Sequence, residues 1–296
     1  SEALVAYGNL MLPIVDAALS GDEISEENTV RLVRACQQLK GDEVIALLSG
    51  HVDHASHVVR DQIFSVLSAC DYFAQGPGLT AVNDALLREV GQGQQILMAQ
   101  AEVEQGDATA PLHRALNEDL AQVQRRVFWL LSFMYDARPI LRAESRLVQG
   151  NGAEQALAFE MLDVTLSSAH KGLSFPLIDP KLDRSKRLEL LKQQNAAPAL
   201  TSDAHLEELI RHSDQAWVRA CAIYAVGLRG ANGMMPLIES SLTDPDPVVR
   251  ETAAWSLYTL APDRYDQHAA ALLADPDVRV ARLAAELVEA SSSSSQ

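Results

Sequence analysis

Aromatic side chains are scarce, at 5% of residues. A β-sandwich draws heavily on Val, Ile, Tyr and Phe. Their shortage beside abundant Ala and Leu favours helices that approach closely through small side chains. Positive charge is scarce as well: 24 Lys and Arg face 40 Asp and Glu, a net charge of −16. Such a surface repels nucleic-acid backbones unless a local basic stripe exists. The densest basic stretch, Lys181 to Lys192, is interleaved with Asp183, Glu189 and apolar residues, so it reads as an ordinary helix face. No nucleic-acid partner is expected, and an anionic membrane surface is disfavoured for the same reason.

Cysteine is limited to Cys36, Cys70 and Cys221, far apart and each within an apolar helical pattern. Buried, reduced thiols and a reducing compartment are the expectation. No run of about 18 apolar residues appears, so no membrane insertion by this segment is expected. No signal-peptide pattern opens the chain, and the expected location is cytoplasmic. Catalytic signatures are missing too: no Gly-x-Ser-x-Gly, no phosphate-cradling Gly-rich loop and no His-Glu-x-x-His. Gly227-Leu-Arg-Gly230-Ala-Asn-Gly233 follows a helical pattern and reads as a C-cap and turn. Glu26-Glu27 and Glu207-Glu208 read as acids at helix starts, where the helix dipole favours them.

What the sequence does contain is a repeat. Leu237-Ile-Glu-Ser-Ser-Leu-Thr-Asp-Pro-Asp-Pro-Val-Val-Arg250 predicts a short helix carrying Leu237, Ile238 and Leu242, then a turn at Asp244-Pro245-Asp246-Pro247. Asp246 suits the N-cap of the next helix and Pro247 its first position, where no donor is required. That second helix places Val249, Ala253, Leu257 and Leu260 on one face. The turn recurs at Leu273-Ala-Asp-Pro-Asp-Val-Arg-Val280, with Asp275 lying 31 residues after Asp244. Upstream, Ser213-Asp-Gln-Ala-Trp-Val-Arg219 places Arg219 the same 31 residues before Arg250. A looser copy runs from Val44-Ile-Ala-Leu-Leu48 through a turn at His51 to Ser56 into His57-Val-Val-Arg60, with Ile63, Phe64, Leu67 and Cys70 continuing its stripe.

At these residues the chain resembles the HEAT-repeat family: a helix, an Asp-Pro-like turn, Val-Arg, then an Ala-rich second helix. The resemblance is strong over about 203–290 and fair over 41–71. It implies an all-α fold, an α-α superhelix in which helix pairs stack into a solenoid, each pair completing the core of its neighbour. One arginine per unit (Arg60, Arg219, Arg250) is expected to form a structural ladder with acids of adjacent turns such as Asp214, Asp244 or Asp275.

Elsewhere the pattern is helical but irregular. Leu79 to Glu104 predicts a long amphipathic helix that Gly91 and Gly93 should weaken or break. Pro111 to Tyr135 predicts another, with Leu112, Leu116, Leu120, Val123, Val127, Leu130 and Leu131 buried. Ile140–Val148 and Ala153–Leu166 form a further pair around Gly150-Asn-Gly152, and Lys192 to Asp203 reads as a linker. The expected organisation is an irregular HEAT-like region over 1–192, regular repeats over 203–290 and a fraying serine-rich tail over 291–296.

A second resemblance rests on Arg126-Val-Phe-Trp-Leu-Leu-Ser-Phe-Met-Tyr135, Ala156-Leu-Ala-Phe-Glu-Met-Leu-Asp163 and Phe175-Pro-Leu-Ile-Asp179. This run is similar to the soluble HEAT region of some bacterial nucleotide-carrier-like membrane proteins, although Phe159 interrupts the Ala-Leu-Glu pattern. It implies a regulatory domain tethered to an inner membrane within a longer chain. The start at Ser1 without a Met, at an apolar segment from Leu4 to Leu19, fits an excised piece of such a chain.

His51, Asp53, His54 and His57 are the one cluster of metal-ligand residue types. Their placement at an inter-helix turn predicts solvated turn residues and no metal, and no other cofactor is expected. Trp129 and Trp255 read as core, whereas Trp217, in the slot of Val248 beside a turn, is expected to be exposed. The function that follows is a non-catalytic scaffold binding a protein partner through the second helices. A carrier-linked regulatory domain is one alternative. A HEAT-like bilin lyase subunit, attaching a tetrapyrrole to a partner's cysteine, is another; no residue set here requires it.

Overall fold

The computed structural model describes residues 8–21, 24–39, 41–103, 105–194, 201–230 and 232–294, and every regular element among them is helical. In chain order the helices are α1 (Gly8–Ser20), α2 (Glu26–Leu39), α3 (Asp42–Ser49), α4 (His57–Ala69), α5 (Pro77–Glu102), α6 (Ala110–Met134), α7 (Ala137–Gln149) and α8 (Gly152–Thr165). There follow α9 (Ser168–Ile178), α10 (Arg184–Gln194), α11 (Ser202–His212), α12 (Ala216–Arg229), α13 (Met235–Ser241), α14 (Pro247–Leu260), α15 (Pro262–Leu273) and α16 (Val278–Ser294). The fold is all-α, as the shortage of aromatics and the 3.6-residue stripes lead one to expect. Side-chain caps set several helix starts: Ser56 for α4, Asp136 for α7, Ser167 for α9, Thr201 for α11, and Asn151 with Glu154 as a capping box for α8.

The chain packs as two compact units, Ser1–Gln95 with Ala121–Ala196, and Ile96–Leu120 with Ala197–Gln296. In the first, α2 and α4 lie against each other and α7 packs on α8. Of the stripe predicted on α6, Val123, Val127, Leu130 and Leu131 are buried in this unit, and Leu112, Leu116 and Leu120, also buried, belong to the second. In the second, α12 stacks on α14 and α14 on α16, while α11, α13 and α15 each pack on the helix that follows them. The same unit contains the α5–α6 connection, closed by Gln100 Nε2 donating to Asn117 Oδ1 at 2.9 Å.

Two expectations are corrected. Helix α5 runs unbroken through Gly91 and Gly93. A Cβ at Gly93 would lie 2.8 Å from Leu177 Cδ2, so this glycine is where α9 presses against α5; burial there outweighs the propensity cost of about 1 kcal/mol. Glu207 and Glu208 lie inside α11, not at its start: the first-turn acid is Asp203, and Glu207 accepts from Arg211 Nε one turn on, at 3.0 Å. Helix α16 runs into the serine-rich tail as far as Ser294, with Ser291 Oγ donating to Leu287 O. Residues 1–7, 195–200 and 295–296 lie outside the described residues, and with them the start of the apolar Leu4–Leu19 segment, the middle of the linker and the last two residues of the tail.

Candidate functional site

The repeat turns hold two like-built arginines. Arg219, in the first turn of α12, donates through Nη1 to Ser213 O (2.8 Å) and grips Asp244 with Nε (3.1 Å) and Nη2 (2.9 Å). Arg250, one unit later on α14, donates to Asp244 O (2.9 Å) and Pro245 O (3.1 Å) and grips Asp275 with Nε and Nη2, both at 2.8 Å. Each guanidinium therefore ties its own turn to the next one by a two-pronged bond that fits only a planar fork. Asp246 caps α14 through Val248 N, and Pro247 takes the first helical position as predicted.

The ladder fixes which face of each second helix is left open. On α12, Ala222 and Val226 face inward, Gly227 meets α14 at Ser256, and Cys221 is buried. Trp217, Tyr224 and Leu228 occupy the remaining direction, since steps of seven and four residues return to one side of a 3.6-residue helix. Trp217 is 53% exposed and Leu228 45%. Trp255 fills on α14 the slot of Tyr224, and the two half-buried rings stack with centroids 5.1 Å apart and planes at 27°. An apolar, aromatic face thus crosses from α12 to α14, in a chain with only three tryptophans.

Residues 203–288 match the family model for HEAT repeats. No curated protein matches the chain. The HEAT match covers the ladder, its turns and the aromatic face. It does not reach the Arg126–Asp179 run that carries the nucleotide-carrier resemblance, and Phe128, Leu131, Ala158, Leu162 and Leu177 of that run are buried packing residues.

Arg60, outside the matched residues, is bonded to its own turn in the same way. Its Nη1 donates to His54 O and Ala55 O, both at 2.7 Å, as Arg250 does to its own turn. Its Nε turns to Glu89 of α5 (3.2 Å), which stands where the next turn's aspartate would be. Glu89 also accepts from Nε of Arg126 at 2.7 Å, and Arg126, fully buried on α6, reaches Asp61 with Nη1. This network was missed by the sequence reading. Its signal was Arg126 itself, a charge three residues from Val123 and four from Leu130 on an otherwise apolar stripe.

The other singled-out residues are dispersed. His51 Nε2 meets Asp16 Oδ1 at 3.1 Å, His54 Nδ1 accepts from Ser56 N, and His57 is buried at the start of α4. Burial holds the His54 ring below the usual histidine range. Among the described residues no group of three or more potential metal ligands converges. Gly230 caps α12 in the left-handed region (φ +68°), so the Gly-rich stretch is a C-cap. Cys36 and Cys221 are buried, and that burial pushes both thiols up to about 11; Cys70, at the end of α4, is half-buried. No helix among the described residues is long and apolar enough to cross a membrane.

Proposed function

We propose that the HEAT array is a non-catalytic scaffold that binds a protein partner on the face formed by Trp217, Tyr224, Leu228 and Trp255. The observation that carries this reading is the exposure of Trp217 and Leu228 in line with the Tyr224–Trp255 stack. Tryptophan and tyrosine are the residues most enriched among binding hot spots, because one side chain removes much apolar surface from water at little entropic cost. The Arg219–Asp244 and Arg250–Asp275 clamps hold α12 and α14 in register, so the face is preorganised and a partner pays little to order it.

Immobilised protein recovers the partner, mass spectrometry identifies it, and the purified pair is then titrated. Trp217→Ala is expected to weaken Kd about thirty-fold, equivalent to about 2 kcal/mol. Trp217 is largely outside the core, so the melting temperature should not move. A purified partner that binds Trp217→Ala and Leu228→Ser as tightly as the parent protein contradicts the assignment of this face.

A further inference from the structure

A groove of about 520 Å³ opens on the first unit between α6, α7 and the α9–α10 connection, within the size range of small-molecule sites. Buried Phe128, Leu147 and Ile178 give it an apolar floor. Arg125 of α6 and Glu144 of α7 both line it, and neither makes a hydrogen bond or ion pair with a described residue. Glu144 is half-buried. Removal from water raises its carboxyl above the usual range, with the Arg125 charge pulling it back down. A half-buried carboxylate that accepts no hydrogen bond from a described residue is stabilised by a ligand that donates one.

Arg187 of α10 lines the same groove. It donates to Leu182 O (3.0 Å), Leu177 O (2.9 Å) and Asp179 O (2.8 Å). A guanidinium has five N–H groups, so two remain for a ligand. The groove is therefore lined by an apolar floor, two cationic groups and one anionic group.

A simple carboxylate would meet Glu144 as a like charge, and a simple amine would meet two arginines. The smallest ligand that uses both signs is a zwitterion. We propose that the groove binds a free hydrophobic α-amino acid, its carboxylate held by Arg125 and Arg187, its ammonium by Glu144, and its side chain against Phe128 and Ile178. The groove is built from residues of the first unit alone and the aromatic face from residues of the second, and the proposal does not depend on that reading.

Isothermal titration of the full chain at neutral pH, with L-leucine and L-phenylalanine as probes, tests it. Saturable one-to-one binding is expected. N-acetyl-L-leucine, which lacks the ammonium, and L-leucinamide, which lacks the carboxylate, should each bind at least about ten-fold more weakly, as expected for loss of a charged hydrogen bond. Arg125→Ala and Glu144→Gln should each weaken L-leucine binding by a similar factor. Arg125 is exposed and makes no hydrogen bond with a described residue, and the Gln change is nearly isosteric, so circular dichroism of both variants should match the parent. No saturable heat with either amino acid would overturn the proposal. So would N-acetyl-L-leucine binding as tightly as L-leucine, or Glu144→Gln binding L-leucine unchanged or more tightly.

Discussion

Arg250 and Asp275 show what one side-chain pair does in this array. The Arg250 hydrogen bonds hold the Asp275 carboxyl below the usual aspartate range, and Asp275 raises Arg250 in turn. A carboxyl with a depressed folded-state pKa contributes stability that is present above its unfolded value, about pH 4, and is lost as pH falls through the folded value. The melting temperature should therefore fall on acidification below about pH 4, and Arg250→Met should flatten that slope while lowering stability at neutral pH. Parallel pH profiles for the two proteins would mean that the pair contributes no pH-dependent stability. At this scale the sequence was informative where residues repeat. Asp246 and Pro247 at the start of α14, Arg219 and Arg250 in the ladder, and exposed Trp217 were all legible, because a 31-residue period exposes each slot more than once. Glu207 was not: nothing in a Glu-Glu pair distinguishes a first turn from a second.

Whole helices depended on contacts that no local pattern contains. Gly91 and Gly93 both read as breakers of α5, yet their surroundings differ: a Cβ at Gly91 meets nothing within 4 Å, while one at Gly93 meets Leu177, 84 residues away in the chain. Gly227 is the tighter case. Its Cβ would lie 2.9 Å from Ser256 Cβ and 3.2 Å from Ser256 Cα, and Ser256 Oγ also donates to Ile223 O. Alanine at either position gains about 1 kcal/mol of helix propensity. Gly91→Ala should keep that gain and stabilise the protein by about 0.5–1 kcal/mol. Gly227→Ala should lose it, because backbone of α14 cannot rotate away as a side-chain end can, and a net destabilisation of about 1–3 kcal/mol is expected. Urea titrations of both variants measure the difference; stabilisation by Gly227→Ala would show that α12 and α14 are less closely packed than described. The groove of Arg125, Glu144 and Arg187 was illegible for the same reason, since its residues come from three helices with no shared spacing.

For the whole molecule, composition already argued for helices, and the repeat argued for a HEAT array over the C-terminal third, where the family match now lies. The partner is not written in the repeat, because ladder and core residues serve the fold and only the open face is free to serve recognition. That face is the central claim, and site-specific photo-crosslinking tests it most directly. A benzophenone amino acid is placed at Trp217, on the proposed face, or at Gln267, an exposed position on α15. The protein is irradiated in cells that make it naturally. A discrete adduct with one protein from position 217, absent from position 267 and lost when Trp255 is changed to Ala, is the predicted result. No discrete adduct from position 217, or the same adduct from both positions, would contradict it.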